Sequence, residues 1–278
     1  MTQASVPEWL TVRRGRAPLL LCMPHTGTQI PPALAGDYVS EWLARRDTDW
    51  YIDRLYAFAQ ELDATLVRTG VSRSVIDPNR DPSGASLYPG QATTALCPTT
   101  TFDGEPLYAA GRAPAAVEID RRREVYFAPY HAAVAAEIAR LRGQHPCIVL
   151  YDCHSIRSQI PRLFEGTLPN FNIGTFAGAS CDAALTEAIR AECDTGEYSH
   201  VVNGRFKGGY TTRHYGRPAA GVQAVQMELA CRGYLREPAG VNTGNWPATW
   251  DAVFAEPMRV ILARVLTACL AFARGAAR

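Results

Sequence analysis

Two uninterrupted apolar runs, "LLLCM" at residues 19–23 and "CIVLY" at 147–151, stand out from an otherwise amphipathic chain. A third stretch, "VQAVQMELA" at 222–230, is mostly apolar. Apolar runs of four to eight residues bounded by turn signals read as central strands buried on both faces. The first stops on "PHTG" and the second on "DCHS", so two predicted strands end in a histidine, His25 and His154. Between and after them the period changes from two to about 3.6. "DTDWYIDRLYAFAQELDA" carries Trp50, Ile52, Leu55, Tyr56, Phe58, Ala59 and Leu62 at helical spacing, with Asp47 or Thr48 as cap and Asp49 in the first turn. "ATLVRTGVSRSVIDPNRDPSG" reads as two short strand-like runs and a Pro/Asn/Gly loop. "PAAVEIDRRREVYFAPYHAAVAAEIARLRGQ" predicts a long helix ending near Gly143, "ALTEAIRAECD" another, and "AVFAEPMRVILARVLTACLAFARG" the C-terminal helices. Residues 87–106 have no period and are rich in Thr, Gly and Pro; a loop that long in a compact domain is usually functional. Strands alternating with helices predict an α/β fold with a largely parallel sheet. No repeat or linker divides the 278 residues, which read as a single domain, 1–278.

Composition narrows the class of function. The net charge of +1 offers no electrostatic footprint for nucleic acid or an acidic membrane surface. No segment approaches the roughly 18 continuous apolar residues of a transmembrane helix, and the N-terminus lacks an apolar signal region. The eight cysteines form no C-x-x-C pair, and several fall inside apolar runs, so they read as buried reduced thiols. The expectation is a cytoplasmic protein acting on a small molecule, with no nucleic-acid or membrane partner.

Parallel α/β sheets bind ligands outside the C-terminal ends of their strands. His25, His154 and a carboxylate of "DTDW" could therefore meet on one edge, and two imidazoles with one carboxylate match a catalytic zinc site that keeps an open position. Glu228 in "VQAVQMELA" reads either as a strand-end residue or as a general base beside metal-bound water. Arg73, Asn79 and Arg80 in "SRSVIDPNRD", and Lys207, Arg213 and His214 in "FKGGYTTRHYG", set cations among Gly, Asn and Tyr in loops. Guanidinium forks grip carboxylates through paired hydrogen bonds. The plainer alternative is that these arginines staple loops or pair with Asp77, Asp81 or Asp103.

Taken in order, "MPHTG", "DTDW", "SRSVIDPNR", "YDCHSIRSQIPRLFEGTLPNFNIGTF", "NGRFKGGYTTRHYG" and "VQAVQMEL" resemble the N-formylglutamate deformylase family from about Leu19 to Leu229. The resemblance implies zinc-dependent hydrolysis of N-formyl-L-glutamate to L-glutamate and formate in histidine degradation. It also implies a three-layer α/β/α fold with a mixed sheet, similar to zinc carboxypeptidases. On the matching positions His25, Asp49 and His154 would hold the metal and Glu228 would be the general base. Asp49 is preferred to Asp47 as lying inside the predicted helix, and Asp152 would orient His154. Asn79 and Arg80 resemble the Asn-Arg pair that carboxypeptidase-like enzymes use for a carboxylate, with Arg73 beside them and Arg213 for the second carboxylate. Another short N-acyl amino acid, such as N-formylaspartate, suits the same chemistry. Two rival readings are a thiol hydrolase using Cys153 and a non-catalytic anion-binding protein.

Overall fold

The apolar runs become the middle of a seven-stranded mixed sheet. The structure is a computed structural model that describes residues 7–275. The strands are β1 (Leu10–Arg13), β2 (Leu19–Met23), β3 (Thr65–Thr69), β4 (Ile148–Ile156), β5 (Phe171–Gly174), β6 (His200–Val202) and β7 (Val222–Ala230), in the spatial order β1-β3-β2-β4-β7-β5-β6. The run β3-β2-β4-β7 is parallel, whereas β1 is antiparallel to β3 and β5 is antiparallel to β7. The largely parallel sheet predicted from the alternation of elements is thus present, with reversed strands at the margins.

Short helices α1 (Pro32–Ala35), α2 (Glu41–Arg46) and α3 (Ile52–Leu55) follow β2. The long predicted helix is α4 (Ala116–Arg122) continued through one π-type segment at Arg123–Phe127 into α5 (Ala128–Arg142), with Gly143 as its C-cap. Then come α6 (Ala183–Cys193), α7 (Tyr210–Tyr215) and α8 (Ala252–Gly275). Because side chains alternate across a strand, the two faces of the sheet acquire different partners. Val149, Tyr151, Cys153, Val225, Met227 and Leu229 pack with Leu185 and Ile189 of α6 and Met258, Leu262 and Leu266 of α8. Ile148, Leu150, Val222 and Ala224 face the other way, onto Tyr130, Val134 and Leu141 of α5. Three layers result.

The site is positioned by a change of polarity along that second face. In β4 the alternate residues run Ile148, Leu150, Asp152, His154, and in β7 they run Val222, Ala224, Gln226, Glu228. Asp152 is in register with Gln226, and His154 with Glu228. The chain leaves β2 for β3 on one side, while β4 lies on its other side, so the strand order reverses between β2 and β4. A crevice opens at such a point. His25 stands at its mouth, two residues beyond β2.

Four local expectations are corrected. Residues 47–64 do not form one helix: the Asp49 N–H donates to the His25 carbonyl at 3.0 Å, tying this segment to the end of β2, and Tyr51 turns left-handed at φ 59° before α3. Asp49 consequently lies ahead of α3 rather than inside it, and Asp47 is the C-cap of α2 rather than an N-cap. Only the first strand-like run of 64–77 is a strand. "VSRSVID" coils instead, because Asp77 and its neighbours turn inward onto His25. The apolar stretch 252–275 is one helix, not several, with Pro257 tolerated near its start. His154 and Glu228 are not strand-end residues, since β4 and β7 each continue two residues beyond them. All eight cysteines are buried and unpaired, and no helix of the described residues is long and apolar enough to cross a membrane.

Candidate functional site

His25, Asp49 and His154 meet in the crevice, all three buried, with one ligand atom of each within 4.8 Å of the others. His154 Nδ1 lies 3.0 Å from His25 Nδ1 and 3.2 Å from Asp49 Oδ2, and His25 Nδ1 lies 3.6 Å from the same oxygen. The outward nitrogen of each ring is committed elsewhere. His25 Nε2 donates to Asp77 Oδ1 at 2.6 Å, and His154 Nε2 to Asp152 Oδ2 at 3.0 Å. A carboxylate behind each imidazole selects the tautomer whose Nδ1 carries a bare lone pair. Two lone pairs and a carboxylate oxygen then point at one small volume, while Asp49 Oδ1 has no hydrogen-bond partner. Such an arrangement is repulsive until a cation or protons enter it.

The wider electrostatics agree with a cation. Burial works against the charge of Asp77, but His25, Arg73 and Arg80 hold it well below the usual carboxylate range. Asp49 is likewise kept low against its burial, by the charge of His25 and the hydrogen bond with His154. Burial disfavours a charged His154 too, yet Asp152 and Asp49 together raise it well above an ordinary histidine. Asp49, Asp77, Asp152 and Glu228 thus press negative charge on a pocket where Arg73 and Arg80 are the nearest cations. The donor set, two imidazole nitrogens and one carboxylate with an open side, suits a zinc-like divalent ion.

The cluster opens into a cleft. Its polar side carries Glu228, Gln226, Arg73, Asn79, Arg80 and Arg205; Tyr88, Phe102, Ile156, Leu163 and Phe206 form the apolar wall. Glu228 is buried there, and burial raises its carboxyl to about 7 against the opposing charge of His154. Gln226 Nε2 donates to Glu228 Oε2 at 3.2 Å and so orients it. Asn79 is woven into the site. Its amide donates to Asp152 at 3.2 Å and lies 2.9 Å from His154 Nε2, and its Oδ1 accepts the Thr211 N–H at 2.8 Å. Gly209 makes this possible, since a Cβ there would stand 2.3 Å from the Asn79 amide nitrogen. Residues 87–106 contribute Tyr88, Thr94 and Phe102 to the cleft, giving that aperiodic stretch a place in the site.

Not every sequence candidate arrives. Arg213 is absent from the cleft lining: its Nε bonds the Gly208 carbonyl, its Nη1 bonds the Leu87 carbonyl, and its guanidinium lies between Tyr88 and Phe176. Asp47 is also elsewhere, accepting the Phe102 N–H at 2.6 Å. Cys153 points into the opposite core, and burial pushes its thiol well up, so it shares no face with His154. Two participants escaped the sequence. In sequence Asp77 of "VIDPNR" reads only as a partner for arginines and Arg205 of "NGRFKGG" carries no signal of its own, because nothing local distinguishes either from its neighbours. Asp49→Asn and Asp47→Asn separate the two carboxylates. If the cluster holds a divalent ion, the first is expected to lose it on metal analysis and the second to keep it.

The three-layer α/β fold is shared with solved proteins. The crystal structure of N-formylglutamate amidohydrolase from Ralstonia eutropha JMP134 superposes with a TM-score of 0.78 at 22% identity, covering 96% of this chain and 99% of that one. A gene product of Agrobacterium tumefaciens follows at 0.67 and 19% identity, covering 94% and 96%. The sequence model of the N-formylglutamate amidohydrolase family matches residues 17–235, and the chain belongs to that family. Similar relatives are the N-formylglutamate deformylases of Pseudomonas aeruginosa, 48% identical over 96% of this chain and 98% of the relative, and of Pseudomonas putida, 47% identical over 95% and 96%.

Proposed function

We propose that this protein hydrolyses N-formyl-L-glutamate to formate and L-glutamate, using a divalent cation, zinc by preference, held by His25, Asp49 and His154. The observation that carries the reading is the buried convergence of those three side chains beside Glu228, in a chain nearly half identical to two deformylases. When bound, the cation supplies Lewis acidity, polarising a carbonyl oxygen and lowering the pKa of water.

The chain's own residues do the rest. Asp77 and Asp152 hold the two imidazoles in orientation. Arg73 bridges Asp77 at 2.8 Å and Asp49 at 3.5 Å, so it fixes these two carboxylates from the cleft wall. Glu228 accepts a proton from the attacking water, and the new C–O bond forms at the formyl carbon. As the C–N bond breaks, Glu228 returns that proton to the departing amine nitrogen. Arg80, which lines the cleft and lies 3.8 Å from Asp77, is the cation for a substrate carboxylate. The apolar wall of Tyr88, Phe102, Ile156, Leu163 and Phe206 bounds the space for the acyl group and favours formyl over larger groups. The eight buried, unpaired thiols are in keeping with a single-domain cytoplasmic enzyme, and its product is that of the last step of one route of histidine degradation.

Formate release from N-formyl-L-glutamate tests the reading. Activity is expected in the metal-replete protein, to be abolished by a chelator and to return on adding zinc. Absence of formate from metal-replete protein, or full activity after chelation, would overturn it.

A further inference from the structure

Three guanidinium groups reach the cleft, and they are not equivalent. Arg73 is neutralised by Asp77 and Asp49. Arg80 is more loosely held, with Nε 3.8 Å from Asp77, and its Nε and Nη2 rest on Thr94. No carboxylate of the described residues comes within 4.0 Å of Arg205. Its Nε donates to the Leu163 carbonyl at 2.8 Å and its Nη2 to the Ala92 carbonyl at 2.7 Å, which pins the fork to two loops of the wall. The guanidinium lies 5.5 Å from the Tyr88 ring centroid and 5.4 Å from that of Phe206. Nη1 is left with no hydrogen-bond partner among the described residues. Burial disfavours the Arg205 charge, and the Arg80 charge adds repulsion. Asp77 and Glu228 offset part of this charge at Arg80, and Glu228 at longer range part of that at Arg205. No carboxylate of the described residues pairs with the Arg205 fork itself, which leaves it open to an incoming anion.

We propose that Arg205 reads the side-chain carboxylate of the substrate, while Arg80 reads the α-carboxylate. The assignment rests on the deformylase reading above and adds the discrimination between the two anions. The α-carboxylate is attached next to the amide nitrogen and must lie beside the reacting bond. Arg80 is the cation on that side, since it shares Asp77 with His25. The side-chain carboxylate lies two methylenes further out, where Arg205 is anchored to the loops that rim the cleft. Its aromatic bracket and two carbonyl bonds hold the fork in place before substrate arrives, so little side-chain entropy is lost on binding.

The test compares kcat/KM for N-formyl-L-glutamate and N-formyl-L-glutamine, which differ by the side-chain charge. The wild type is expected to favour the acid by ~10²-fold or more, the effect of a charge-assisted hydrogen bond in a desolvated site. Arg205→Met should collapse that ratio towards one, with most of the loss in KM. Arg205→Lys should restore part of it, and Arg213→Met should keep the wild-type ratio. Calorimetry gives a second readout: L-glutamate binding should weaken at least tenfold in Arg205→Met. A wild-type ratio retained in Arg205→Met would show Arg205 to be a loop staple and overturn the proposal. A wild type that releases no formate from N-formyl-L-glutamate would instead defeat the deformylase reading, a distinguishable result.

Discussion

His154→Ala is expected to abolish both metal binding and turnover. The wild-type site offers three ligand atoms within 4.8 Å of one another, and removing His154 leaves two. Few structural or catalytic zinc sites manage with fewer than three protein ligands. The substitution also strips Asp152 of its 3.0 Å partner, leaving a buried carboxylate with only the Asn79 amide nearby. Metal analysis of the purified variant should find far below one zinc per chain, and formate release should fall beneath detection. A thermal unfolding midpoint measured alongside separates loss of the site from loss of the fold. The scaffold beneath His154 should persist, because the apolar half of β4 and its packing on α5 and α8 are untouched. A folded variant with full metal occupancy and activity would refute the assignment of His154.

Glu228→Gln should produce the next largest effect, and a different one. Shape and the contact with Gln226 are nearly preserved, while the proton-accepting oxygen is lost. General acid–base catalysis is typically worth ~10²–10⁴-fold, or ~3–5 kcal/mol of barrier, so kcat should fall by that much with zinc still bound. The pH profile provides a signature. In the proposed mechanism the base works as a carboxylate, so activity should be lost as pH falls through its pKa. Burial places that group at about 7, and a nearby bound cation favours the carboxylate, so the acid limb of kcat/KM is expected at or below about 7. Glu228→Gln should lack that limb. A variant within about threefold of wild type, under ~1 kcal/mol, would return Glu228 to a structural role.

Much of the framework was legible because the signals were local. Five apolar residues before Pro24 define β2, and the alternation in "IVLYDCHSI" and "VQAVQMELA" already separates Asp152, His154 and Glu228 from the core-facing Cys153 and Met227. The ordered motifs then carried the family resemblance that the profile match over residues 17–235 supports. The helix expected after "DTDW" failed for a non-local reason. Its apolar spacing is helical, but the His25 carbonyl takes the Asp49 N–H and Tyr51 reverses the backbone.

What the sequence determined by itself was therefore the order of elements, the buried strands, and the residue types delivered to their C-terminal halves. Hydrophobic periodicity encodes these within a few neighbouring positions. Only the tertiary structure decided which charges meet. Asp77 reaches His25 across 52 positions of sequence, and Asp49 reaches His154 across 105. Arg205 enters the cleft, while Arg213, eight residues on, is consumed by the carbonyls of Gly208 and Leu87. An arginine in a Gly-rich loop looks the same in either role. Its function depends on which oxygens lie within about 3 Å after folding, and that distance is set by the packing of segments remote in sequence.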